Sequence, residues 1–165
     1  MDAALAVIAQ AGACRLTLDA VAEAAKVSKG GLLYHFPDKE ALLRALLDRH
    51  LDRRKSWMEH AHPGNTVADL VHARVDVVRM PETSPAAMPL LGILALEPKL
   101  LARPQAENTD FINRLRADPA RFIKGLVVSL ASTGLIVSEA LGSLSLSPAE
   151  RDALLNELHR LADQL

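Results

Sequence analysis

The sequence predicts an all-α protein, with a short N-terminal module of three helices followed by a larger helical body. Three observations carry that reading. Alanine and leucine dominate, aromatic residues make up only 3%, and valine and isoleucine are too thinly spread for runs of alternating strands. Apolar residues recur at i, i+3 and i+4 from the first turn of the chain onward. Capping and stop residues bracket those stretches at the spacings helices need. With 165 residues, half of them apolar, the chain can bury one good core, or one core and a small module sharing a helix with it.

The first helix runs from about Asp2 to Ala11, with Leu5, Ile8 and Ala9 on one side and Gly12 as its stop. Thr17 caps a second, in which Leu18, Val21, Ala22 and Ala25 share a face; it ends at Ala25 or Lys26. Only Lys26, Val27 and Ser28 precede the next segment, where Ser28 is again a cap and Lys29 to His35 make two turns. Two short helices joined this briefly form a helix-turn-helix. After Pro37, Asp38 caps a long fourth helix with Leu42, Leu43, Leu46, Leu47 and Leu51 down one side, reaching Glu59 or His60 and connecting module to body.

His62 to Asn65 break that helix, and Thr66 opens a fifth through about Arg79. Pro81, Pro85 and Pro89 punctuate a loop-rich stretch; helical pieces are expected from about Leu90 to Leu96, Pro98 to Leu101 and Gln105 to Arg116. Asp118 and Pro119 read as N-cap and first position of a helix persisting to Ala140 or Leu141, with Gly142 as its stop. Ser147, Pro148 and Glu150 supply cap, first-turn proline and capping-box acid for the last helix, where Leu154, Leu158, Leu161 and Leu165 form a stripe.

Charge and cysteine usage narrow the function classes. Nineteen lysines and arginines against twenty acids leave a net charge of -1, and residues 1 to 60 hold nine basic against eight acidic, so any nucleic-acid surface is local. Cys14 is the only cysteine, which excludes an intrachain disulfide and a cysteine-based zinc cluster and fits a reducing cytoplasm. The N-terminus lacks the basic and apolar regions of a signal peptide. The uncharged stretch Gly125 to Ser138 is shorter than the roughly 20 residues a bilayer span requires. No nucleophile elbow, phosphate loop or supported carboxylate pair is present, so no catalytic residues and no cofactor are assigned.

The segment Leu16 to Leu47 reads LTLDAVAEAAKVSKGGLLYHFPDKEALLRALL. A helix fits the B-DNA major groove, and its first turn reaches base edges when no bulky side chain holds the backbone away. Gly30 and Gly31 supply that closeness, at a cost of roughly 1 kcal/mol each relative to alanine that a purely structural segment has little cause to accept. Lys29 can donate to guanine or to a phosphate. Thr17 and Ser28 at helix starts, the Tyr34 phenol and the Lys39 ammonium suit phosphates. For Thr17 the competing reading is an N-cap alone; His35 can contact DNA or pack on the fourth helix. Leu18, Val21, Ala22, Val27, Leu32 and Phe36 are the expected core of the module.

Val27-Ser28-Lys29-Gly30, Tyr34-His35-Phe36, Asp38-Lys39-Glu40 and Leu42, at this spacing, resemble the DNA-binding module of the TetR family of transcriptional regulators. The resemblance is strong over the first third of the chain and elsewhere lies in the helical layout. It implies a helix-turn-helix DNA-binding domain over residues 1–45 and a helical effector-binding and dimerisation domain over 46–165. It also implies a cytoplasmic homodimer that binds palindromic operator DNA, acts as a repressor and is released by a small molecule. Leu33 stands where many members carry tyrosine, Lys26 where glycine is usual, and Met1 falls inside the family's first helix.

In the body, Gly125, Ser129 and Thr133 recur every four residues with Ser132 alongside, a strip that lets helices approach closely, either across a dimer or within one subunit. With Leu154, Leu158 and Leu161 they form the expected dimer interface. Trp57, Met58, Met80, Met88, Leu94, Phe111 and Phe122 are candidates for an effector pocket, although ordinary core is the commoner role for each; such residues suit an uncharged or weakly polar ligand. The alternative from another class is a helical dimeric ligand- or metal-binding protein without operator binding. Its best residues are His50, Glu59, His60, His62, His72 and Asp76, and the His60–His62 spacing is weak metal-ligand evidence.

Overall fold

The computed structural model describes residues 1–12, 15–80, 92–94 and 97–165. Its helices are α1 (Asp2–Ala11), α2 (Leu18–Ala25), α3 (Lys29–His35), α4 (Lys39–Ala61), α5 (Val67–Asp76), α6 (Ala102–Arg116), α7 (Pro119–Ala140) and α8 (Pro148–Ala162). Single 3₁₀ turns follow α5 at Val77–Arg79 and precede α6 at Pro98–Leu101. No strand occurs among the described residues. Met88 and most of the expected 90–96 helix lie outside them, as does Cys14; residues 92–94 are helical.

Two apolar cores organise the chain. The first joins Ala4 and Ile8 of α1, Val21 and Ala22 of α2, Leu32 of α3 and Leu42, Leu43, Leu46, Leu47 and Leu51 of α4, together with Ile93 and Leu100. Helices of seven to ten residues are not stable alone in water. Each leucine buried along α4 contributes about 2 kcal/mol, so that side of α4 holds the three short helices in place. Arg49 adds an ion pair to Asp2 at 2.9 Å. The second core joins Val71 and Val75 of α5, Phe111 and Leu115 of α6, Val128 and Leu135 of α7 and Leu155, Leu158 and Ala162 of α8.

Several boundaries move for physical reasons. Helix α5 stops at Asp76, and Met80, which precedes a proline, is extended at φ −61° and ψ 124°. Helix α6 starts at Ala102 rather than Gln105, since Pro104 falls in its first turn where no N–H is required. On α8 the buried stripe is Leu155, Leu158 and Ala162, while Leu154 is 36% exposed. The Ser147–Glu150 capping box is formed, and its hydrogen bonds hold the Glu150 carboxyl below its usual value. Helix α7, with 22 residues, is long and apolar enough to cross a membrane, but one side of it packs into the second core.

Candidate functional site

Helix α2 begins at Thr17, whose Oγ1 accepts from the Ala20 N–H at 3.1 Å, and ends in a turn closed by Lys26 N–H to Glu23 O and Val27 N–H to Ala22 O. Lys26 carries φ +56°, the one positive φ at a non-glycine among the described residues, where an L side chain costs about 1–2 kcal/mol. The turn therefore keeps the shape glycine normally supplies. Val27 projects from it at 51% exposure and does not join the core expected for it. Ser28 then caps α3, its Oγ accepting from Gly31 N–H at 3.0 Å.

Helix α3 buries only Leu32. Lys29, Gly30, Gly31, Tyr34 and His35 are exposed with Thr17 and Ser28, so seven of the predicted DNA-contact residues share an open surface, and Lys39 follows at the half-buried start of α4. Tyr34 is 87% exposed, its ring edge-on to His35 with centroids 5.2 Å apart. No packing requirement explains a phenol so placed. A β-carbon on Gly30 would meet nothing, whereas one on Gly31 would stand 3.1 Å from Ser28 Oγ. Thr17 and Ser28 use their oxygens as cap acceptors and keep a hydroxyl proton to donate. The sequence reading missed Asp19, whose two oxygens lie 2.9 and 3.0 Å from Lys29 Nζ. An acid in the first turn of α2 was visible as a favourable helix-dipole charge, but its cross-helix partner was not.

The body holds a cleft of about 760 Å³ between the C-terminal half of α4, the loop after it, α5 and α6. Of the expected pocket residues, Met58 and Phe111 line it. Met80 is buried, Leu94 packs on the first core, Phe122 on the second, and Trp57 is 39% exposed. The walls are strongly charged, against the apolar lining expected: Asp52, Arg54, Lys55, Glu59, Asp69, Arg74, Arg103, Glu107, Asp110 and Arg114 all contribute. Arg103 reaches Asp48 at 2.8 Å and Asp52 on α4 and Glu107 on its own helix at 3.2 Å, and these carboxylates, Asp52 first, push its pKa upward. Arg54 meets Glu107 at 2.8 Å, so α4 and α6 are tied across the cleft.

Residues 1–46 match the family model described as bacterial regulatory proteins of the TetR family, and residues 64–163 match that of the tetracycline-repressor-like C-terminal domain. The chain belongs to the TetR family. It is 37% identical over 83 residues to the HTH-type transcriptional regulator RutR of Escherichia coli K12 and of Shigella flexneri, a match covering 48% of this chain and 39% of those relatives' length. A TetR-like transcriptional regulator from Rhodococcus sp. RHA1 superposes with a TM-score of 0.70 at 18% identity, covering 99% of this chain and 91% of the neighbour. A proposed transcriptional regulator of Streptomyces coelicolor A3(2) gives 0.55 at 23% identity, covering 98% and 94%. Both share the fold.

Two further features of this TetR-family chain lie in the body. Gly125, Ser129 and Ser132 point inward: a β-carbon on Gly125 would stand 3.3 Å from Leu115 and Val71, and the serine hydroxyls donate to the Gly125 and Val128 carbonyls. The close packing they permit is within the subunit, and Leu158 is likewise buried there, with Leu161 beside it. Thr133 and Leu154 are exposed. The outward stripe of α7 is instead Ile123, Val127 and Leu130, each more than half exposed, with Gly134 and Leu141 continuing it. Second, His62 and His159 both bond Asp76, at 2.7 and 2.9 Å, and His72 bonds His159 and Asp163, joining the loop after α4, α5 and α8. His60 instead bonds the Ser56 carbonyl. Among the described residues no three of His, Cys, Asp and Glu are arranged to hold a metal ion.

Proposed function

We propose that this TetR-family chain is an operator-binding repressor that acts as a homodimer and is released from DNA by a small molecule bound in the cleft of the body. The observation that carries the DNA reading is α3 itself, a helix with two glycines in its first turn and a fully presented phenol; the packing of the fold accounts for neither Gly30 nor the phenol. Lys29 would exchange Asp19 for a base edge or phosphate. Thr17, Ser28, Tyr34 and Lys39 would fix the register by phosphate contacts, with His35 beside them.

The outward stripe of α7 supports dimerisation, because three large apolar side chains in line on an exposed helix are what a second copy would cover. A two-fold axis would present two copies of α3 to successive major grooves, the arrangement that reads palindromic half-sites. Helix α4 supports coupling: its N-terminal half lies in the first core, and its C-terminal half forms a wall of the cleft. A ligand entering between α4 and α6 would act on the Arg103 and Arg54 ion pairs, tilt α4 and change the spacing of the two recognition helices. The chain's two functional regions then divide near residue 45. Footprinting on the intergenic DNA upstream of its own gene tests the proposal. Two symmetric protected half-sites, spaced about one helical turn or a multiple of it, are expected; absence of any protected site, with the protein bound only at random, would overturn it.

A further inference from the structure

The cleft holds arginine donors that its own carboxylates leave unused. Arg103 takes Asp52 and Glu107, Arg54 shares Glu107, Lys55 reaches Glu59 at 3.8 Å, and Asp69 is held by Thr66 in the capping box of α5. Asp110 is exposed to solvent. Arg74 makes no ion pair among the described residues, although Glu107 is near enough to pull its pKa upward. Its guanidinium lies on the Phe111 ring, 3.9 Å from the centroid, so that the ring fixes the plane while the N–H edges stay free. Close by, the Nε of Arg54 is buried without any acceptor. Burial, and then the neighbouring Arg54 charge, lower the Arg74 pKa to about 10 against the opposing pull of Glu107. The group is still a cation at neutral pH, and it stands in a setting that resists its charge.

A half-buried cation with no ion-pair partner and a buried, unpaired N–H are both costs to a fold, and one ligand can remove them. A guanidinium seated on an aromatic ring with unpaired N–H groups matches a carboxylate in two parallel hydrogen bonds. Around it Met58, Leu70, Ala73, Ala106 and Phe111 give the cleft an apolar side, and its volume suits a small organic molecule. We propose that the cleft binds a small organic carboxylate whose charged end pairs with Arg74 beside Arg54 and whose apolar part lies along Phe111 and Met58. This rests on reading the cleft as the effector site, and it replaces the uncharged ligand that the sequence alone favours.

Benzoate and its neutral analogue benzamide test it, by melting midpoint and by fluorescence of Trp57, the single tryptophan, which neighbours Met58 on α4. At a concentration about ten times the dissociation constant, benzoate is expected to raise the midpoint by roughly 3 °C, beyond sodium chloride of equal ionic strength, and benzamide to do little. Arg74→Met removes an unpaired half-buried charge, so the ligand-free variant is expected to melt no lower than the parent while benzoate affinity falls at least tenfold; Arg74→Lys should recover part of it. Equal responses to benzoate and benzamide, or a benzoate response that Arg74→Met leaves intact, would overturn the carboxylate assignment. Benzamide binding that Ala106→Trp abolishes would keep the cleft as a ligand site and remove only the anion. No response to either compound would remove both.

Discussion

At the scale of single residues, Gly30 separates a structural demand from a functional one. Its backbone is helical and a β-carbon there would touch nothing, so Gly30→Ala should stabilise the fold by up to about 1 kcal/mol, a rise of about 2–4 °C in the melting midpoint. The same methyl would stand between α3 and DNA. A more stable protein with weaker DNA binding, measured by thermal melting and by titration with DNA, is the expected result; a variant that is more stable and binds as well would show that the glycine serves neither purpose. The exposed face proposed to meet DNA was legible residue by residue because caps, glycines and exposed polar groups are local signals: Thr17, Ser28, Gly30, Gly31 and Tyr34 lie on the surface. Lys26 kept a glycine's backbone despite its side chain, which local pattern could flag only as a departure. Asp19 pairs with Lys29 across ten residues, and no spacing rule reaches that far.

At the scale of elements, helix existence and ends followed from caps and stops: α2, α3, α7 and α8 begin at their caps, and α1 and α7 end just before their glycines. Which face turns inward was harder. Small residues every four positions on α7 serve equally to bring two subunits together or two helices of one subunit, and only the positions of Leu115 and Val71 decide between them. The exposed apolar stripe of Ile123, Val127 and Leu130 on the opposite side is the face proposed for the dimer. Val127→Glu should halve the mass in solution and weaken DNA binding while leaving helix content unchanged; a dimer of undiminished stability would place the interface elsewhere. Helix α8 supplies a pH dependence through His159. Its Nε2 lies 2.9 Å from Asp76 and its Nδ1 2.8 Å from His72 Nδ1, and burial lowers its pKa below the usual 6.5, outweighing the pull of Asp76, with the His72 and Arg79 charges adding to the depression. Since the unfolded chain then binds the proton more readily, the contribution of this histidine is complete above about pH 6.5 and is lost as pH falls below it. The melting midpoint should drop between pH 7.5 and 5.5, and His159→Gln should flatten that slope; an unchanged slope would assign the acid sensitivity to other groups.

At the scale of the whole molecule, the chain is two cores, with α4 buried in the first and forming a wall of the cleft beyond it, and its function would depend on that one helix carrying strain from the cleft to the recognition surface. The all-α class, the order of helices and the helix-turn-helix were readable because they are periodic and capped. The cleft was not. Its lining brings together α4, α5 and α6, residues far apart in sequence, and the charged groups there pair across helices in ways composition does not reveal, so the sequence pointed to large apolar residues such as Met80 and Phe122, which do not line the cleft, and not to Arg74 and Arg103, which do. The central claim is that α3 reads DNA. The most direct test is a fluorescence-anisotropy titration of the protein against its own upstream intergenic DNA at about 50 and 200 mM salt, with Tyr34→Ala and Lys29→Ala in parallel. Binding that is specific for that DNA, weakens steeply with salt and falls at least tenfold in both variants is the predicted result; no preference over unrelated DNA, or variants that bind as tightly as the parent, would contradict it.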